Sequence, residues 1–215
     1  MLTMNGIFAS LLLLASGSIT LAQTERPVRI VPVVNPGMAV AQEHADERST
    51  ALDGQREQQA LRVFLKLELT AIVSAADAMP ADKYGFAPSD GEFKGVRTFG
   101  QQVKHLAATN HILAAAALGE PPPADAGDEV GPETVRTKAE ILDYLNGSFA
   151  HLGKAIDAIG ARNGTVKSSP ISPLKGAATT RLALTVESLI HAFDHYGQMV
   201  EYLRMNGVVP PASRP

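Results

Sequence analysis

The residues best suited to chemistry in this chain lie near its C-terminal end, in His191-Ala192-Phe193-Asp194-His195. Two histidines four apart share one face of an α-helix, about one turn from each other. At that separation two imidazoles reach a single metal ion. Glu187 comes one turn before His191, where a carboxylate can orient a ligand ring or act as a base; taken alone it is equally well an exposed helix glutamate. On a helical wheel Leu182, Val186, Leu189, Phe193 and Val200 gather opposite His191, while Leu184, Glu187, His195, Gln198 and Tyr202 fall on its side. The histidines are therefore expected off the densest apolar stripe. Two plain alternatives stay open, hydrogen-bonded interior histidines or a solvated helix face. A metal site needs a further ligand, and the pair does not name it.

The elements that must position these residues read as helices. Thr50 to Ala78 carries Leu61, Phe64, Leu65, Leu69, Ile72 and Val73 in an i, i+3, i+4 pattern. The loop 79–97 is broken by Pro80, Pro88, Gly91 and Gly95, and its Tyr84 and Phe86 are expected to tuck against the helices. A second helix fits 98–118, with Thr98 as N-cap and Gly119 as a left-handed stop ahead of three prolines. Residues 120–134 form a Pro/Gly/Asp-rich connection. The third helix opens on the capping box Thr137-x-x-Glu140 and ends at Gly160. Residues 161–178 read as loop, and a fourth helix spans 180–205 and stops at Asn206-Gly207. No strand pattern competes with this all-α reading.

The 215 residues suffice for one domain with a real core. A net charge of −3 and 5% aromatic residues without tryptophan give no surface for nucleic acid. The absence of cysteine excludes disulfides, thiolate metal sites, a cysteine nucleophile and lipoprotein attachment. Residues 1–22 read as a secretory signal, with an apolar run from Ile7 to Ala15 and a small-residue cleavage site at Thr20-Leu21-Ala22. Its n-region lacks Lys and Arg, and Ser10, Ser16, Ser18 and Thr20 interrupt a run already short for a membrane anchor. The mature protein is expected to start at Gln23, to be periplasmic or secreted, and not to stay inserted in a membrane. Residues 23–49, punctuated by Pro27, Pro32 and Pro36, are expected to be a tether or extended arm.

Two segments carry a resemblance. Asp194-His195-Tyr196-Gly197-Gln198 through Arg204, ending in Gly207-Val208-Val209-Pro210-Pro211, resembles the C-terminal helix of DinB-family proteins. Met79-Pro80-Ala81-Asp82-Lys83-Tyr84-Gly85-Phe86, followed by Arg97-Thr98-Phe99-Gly100-Gln101-Gln102-Val103-Lys104-His105, is similar to that family's first loop and second helix. The resemblance covers residues 50–209, leaving 210–215 as a tail, and implies a four-helix bundle with a three-histidine metal site at His105, His191 and His195. His105 shares a helix face with Gln101, Thr109 and Ile112. It can meet the pair only if the second and fourth helices are neighbours. His44, His111 and His151 are expected at the surface, as is Asp194.

Three neutral imidazoles with an open position make the catalytic rather than the closed structural type of site. Zinc suits three nitrogens best, and nickel, iron and manganese also accept imidazole. The near match of His191-x-x-Asp194-His195 to the H-x-x-E-H peptidase motif is set aside, since Asp replaces Glu and a downstream acidic ligand has no room before the chain ends. Ferritin-like di-iron pairs of Glu-x-x-His do not occur. The resemblance implies a metal-dependent hydrolase or thiol transferase acting on a small molecule, and leaves room for a homodimer. An exported location argues against thiol transfer, because the small thiols concerned are chiefly cytosolic. The competing expectation is a non-catalytic bundle of the cell envelope that binds metal or a small ligand.

Overall fold

The computed structural model describes residues 36–126, 128–160 and 164–215. The expected signal segment, and the part of the expected arm before residue 36, lie outside these. The elements run α1 (Pro36–Ala78), a 3-10 turn (Ala81–Lys83), α2 (Phe99–Leu118), α3 (Lys138–Asp157), β1 (Thr165–Lys167), β2 (Ala178–Thr180), α4 (Arg181–Met205) and a second 3-10 turn (Pro211–Ser213). None of the described helices is long and apolar enough to cross a membrane.

The all-α reading holds, with two corrections. The expected arm is helical from Pro36 onward, so α1 runs for 43 residues. Proline is tolerated at the first helical position, where its missing N–H has no partner to lose. The stretch 42–49 is exposed and so shows no apolar period. Local pairs support it instead, among them Gln42 with Asp46, His44 with Glu47, and Arg56 with Asp53. The second correction is a small antiparallel hairpin inside the expected loop 161–178, pairing Thr165 with Thr180 and Lys167 with Ala178. Strands of three residues are too short to print a period-two pattern.

The helix boundaries elsewhere follow from their caps. Thr98 and Gln101 close one capping box, Thr137 and Glu140 another, and Thr180 caps α4. Gly119 ends α2 at φ 77°, a left-handed backbone that suits a residue without Cβ. Backbone bonds from Phe99 to the Phe86 carbonyl and from Gly100 to the Tyr84 carbonyl tie the first loop to the start of α2. A Cβ at position 100 would come within 3.2 Å of that carbonyl. Tyr84 and Phe86 are tucked as expected, and Tyr84 Oη donates to the Ala76 carbonyl at 2.7 Å.

α1 and α2 each pack against both α3 and α4, which touch each other more lightly. α2 lies between α3 and α4, and α1 touches the same two from the far side. α2 and α4 are therefore neighbours. The interior has two apolar parts. One gathers Ile72, Met79, Phe99, Leu106, Phe149, Met199 and Leu203; the other gathers Leu61, Leu113, Leu152, Ile156, Leu184 and Leu189. Burying each such side chain stabilises the fold by about 1.5–3 kcal/mol. Between the two parts lies a polar layer: Ser188 Oγ donates to Asn110 Oδ1 at 2.8 Å, and Asn110 Nδ2 faces Ser148 Oγ at 3.4 Å. Glu68 of α1 falls between Leu61 and Ile72, fully buried, and neither carboxyl oxygen finds a partner among the described residues.

Candidate metal centre

The first loop and the Thr98 cap set the phase of α2, so that His105, one and a half turns in, faces α4. His105 is buried, at 4% exposure. His191 and His195 come from the middle of α4, one turn apart, with His195 buried and His191 half-buried. Nε2 of His191 stands 3.2 Å from Nε2 of His105 and 3.0 Å from Nε2 of His195. Two nitrogens at 2.05 Å from a tetrahedral ion are about 3.3 Å apart, so the cluster already has the spacing a divalent ion requires. Among the described residues this is the group able to hold one.

Two of the three outer nitrogens have partners. His105 Nδ1–H donates to the Glu129 carbonyl at 2.8 Å, which leaves Nε2 with its lone pair free. Glu129 also brings a carboxyl oxygen within 3.5 Å of that ring. Its backbone sits at φ 68°, a left-handed conformation that is strained for a side chain of this size. Gln102 Nε2 lies 2.7 Å from His195 Nδ1 and 2.6 Å from Gln198 Oε1, and Gln198 in turn donates to Asp194 at 2.9 Å. His191 Nδ1 is buried and finds no partner among the described residues.

Desolvation dominates the electrostatics. Burial, reinforced by the neighbouring rings and by Arg97, pushes His191 down to about 3. Burial with His105 and Arg97 pushes His195 down to about 4, Asp194 opposing. Burial also lowers His105, opposed by its bond to the Glu129 carbonyl. The three rings are thus neutral near pH 7, the state in which imidazole binds metal.

The expected placements meet the structure unevenly. His105, His191 and His195 come together, and Asp194 is exposed, as is His44. The wheel put the apolar residues of α4 inward, and here the structure differs. Val186 and Phe193 are exposed, while Thr185, Ser188, Ala192 and His195 are buried. Phe64 of α1, expected in the core, is likewise 52% exposed. Polar side chains of α4 can face inward because Asn110 and Gln102 of α2 meet them there. His111 and His151 are not free surface residues either. They pair across α2 and α3 with their Nδ1 atoms 3.0 Å apart, His111 lying against Tyr144.

No hydrogen bond joins Glu187 to His191. It accepts from Ser172 Oγ at 2.9 Å, and burial raises its carboxyl above the usual range while that bond pulls it back. Sequence reasoning missed Gln102, Glu129 and Ser172. Ser172 and Glu129 sit in loops, and Gln102 is one amide among several; no local pattern marks them.

Beside the centre a cleft of about 520 Å³ opens between α2, α4 and the turn carrying Ile171 to Leu174. His191, Glu187, Glu129, Ser172 and Thr109 supply its polar lining. On the other side Arg97, Gln102 and Gln198 line a separate cleft of about 400 Å³.

Fold and site together define a four-helix-bundle protein whose second and fourth helices form a three-histidine cluster suited to a divalent ion. The chain belongs to the DinB superfamily, whose family model matches residues 65–199. A crystal structure assigned to the DinB family, from Exiguobacterium sibiricum 255-15, is similar in fold. It has 18% identity and a TM-score of 0.54, covering 70% of this chain and 92% of that one. No curated protein matches.

Proposed function

We propose that His105, His191 and His195 hold one divalent ion, zinc by the chemistry of three nitrogens, and that the protein uses it for hydrolysis or group transfer on a small molecule. The observation that supports this is the convergence of three Nε2 atoms at 3.0 and 3.2 Å. A bound ion supplies acidified water and polarisation of an incoming group. The chain does the rest. The Glu129 carbonyl fixes the tautomer of His105, and Gln102 controls that of His195. Glu187, held by Ser172 at the cleft wall, exchanges a proton with whatever enters.

Elemental analysis of the purified protein tests the reading. One ion per chain is expected, and His195→Ala should lose it; a metal-free wild type after zinc loading overturns the proposal. The engagement of Glu187 by Ser172 rather than by His191 favours a second reading, a bundle that binds metal or ligand without turnover. Hydrolysis of a panel of small esters and amides by the zinc-loaded protein, lost in Glu187→Gln, separates the two.

The same proposal places the protein in the periplasm or outside the cell, supported by Ile7 to Ala15 ahead of Thr20-Leu21-Ala22. N-terminal sequencing of exported material is expected to begin at Gln23. Intact Met1 in a membrane fraction overturns it.

A further inference from the structure

The cleft beside His191 differs in character from the one behind Gln102. Its walls are Leu113, Ile171, Leu174, Ala183, Val186 and Ile190, and among the described residues no lysine or arginine lines it. Its charged side chains are Glu129 and Glu187, both acidic. Leu174, Val186 and Ile190 are 42%, 36% and 66% exposed, so an apolar rim surrounds a polar floor. Thr109 is 95% buried by its 5% exposure, lines this cleft, and its Oγ1 finds no hydrogen-bond partner among the described residues. A buried hydroxyl without a partner costs about 1–3 kcal/mol, which a ligand group can recover. Arg97, the cation whose field reaches all three histidines, lines the other cleft.

We propose that this cleft is the substrate site and that it takes a molecule with an uncharged apolar body, its polar end toward Thr109 and His191. The proposal rests on the metal reading for the chemistry that follows, but not for the binding itself. A volume of about 520 Å³ is that of a site for a small organic molecule. Away from the ion, the described walls carry two carboxylates and no basic side chain, which disfavours negative charge on the body of the ligand.

A matched pair of probes tests it. N-phenyl-1-naphthylamine and 8-anilinonaphthalene-1-sulfonate share one aromatic body, and only the second is charged. In chelator-treated protein, where no ion offsets the two carboxylates, the neutral probe should bind saturably, with fluorescence enhancement, and the sulfonate at least about tenfold more weakly. Ile190→Lys, at an exposed position, should weaken the neutral probe and narrow or reverse the preference. Val63→Lys, at the apolar depression of α1 that holds Val63, Leu67 and Pro211, should change neither. Equal affinity of the two probes, or loss of binding in Val63→Lys with none in Ile190→Lys, overturns the proposal. In the zinc-loaded protein acetohydroxamate, which reports the ion alone, keeps the two readings apart. If it fails to bind while the neutral probe still responds to Ile190→Lys, the metal reading falls and the cleft stands. If it binds and the neutral probe does not, the cleft assignment falls and the metal reading stands.

Discussion

Gln102 Nε2 lies 2.7 Å from His195 Nδ1, on the side of the ring that faces away from the other two histidines. With the amide N–H donating, His195 carries its proton on Nε2 and points it into the cluster. With the amide turned so that its oxygen accepts from Nδ1–H, the Nε2 lone pair becomes available to an ion. One buried amide on α2 therefore decides what a histidine on α4 can do. Gln102→Leu should lower zinc affinity about 10–100-fold, measured by competition with a chromophoric chelator. An unchanged affinity would show that the amide has no part in ligation.

Metal should also stabilise the fold. His105 and His191 are 86 positions apart in sequence, so the unfolded chain gathers the ligands poorly and the ion favours the folded state. At 100 times its dissociation constant it adds about 2.7 kcal/mol. At about 2–4 °C per kcal/mol for a domain of this size, chelation should lower the melting temperature by roughly 5–10 °C. His195→Ala should melt near the chelated wild type and ignore further chelator, while His151→Ala should still respond. The two apolar parts of the core need no metal, so helical content at room temperature should survive chelation.

Glu68 should make stability fall as pH rises. Burial pushes its carboxyl from 4.5 up to about 8 in the fold. Between those values unfolding releases a proton, so each step up in pH favours the unfolded chain. Above about pH 6.5, where the histidines no longer take up protons on unfolding, urea denaturation should show stability declining toward pH 8, by roughly 1–2 kcal/mol after relaxation around the group. Glu68→Gln should remove that slope. A slope that persists in the variant would place its origin elsewhere.

His111 should produce the opposite limb. Burial, with the His151 ring beside it, pushes His111 from 6.5 down to about 4, Asp125 opposing. Unfolding therefore takes up a proton between about pH 4 and 6.5, and stability falls as pH drops through that window. In Glu68→Gln this acid limb should stand alone below a plateau above pH 6.5. His111→Asn in the same background should make it shallower without abolishing it, because burial also depresses His191 and His195, as read by thermal melts across the range.

Strained backbone at Glu129 gives a further expectation. Its φ of 68° suits glycine, and the group that meets His105 Nδ1–H is the main-chain carbonyl. Glu129→Gly should thus keep zinc binding within a few-fold while losing the carboxylate from the cleft. A large drop in zinc affinity would mean that the carboxyl itself orients His105.

What the sequence determined by itself was local. The four helices, the Thr98, Thr137 and Thr180 caps and the Gly119 stop follow from side chains bonding to backbone within a few residues, and those effects print a pattern. The i, i+4 spacing likewise put His191 and His195 on one face. The tertiary structure decided what depended on partners far along the chain. It set α2 beside α4, and so brought His105 to the pair. It rotated α4 so that Ser188 and His195 face inward beside Leu184, Met199 and Leu203, where Asn110 and Gln102 meet them. It also paired His111 with His151, and bent Glu129 into a left-handed turn over His105. Hydrophobic periodicity records only how apolar a face is. Whether a polar face is wet or buried depends on the hydrogen-bond partners that another helix supplies.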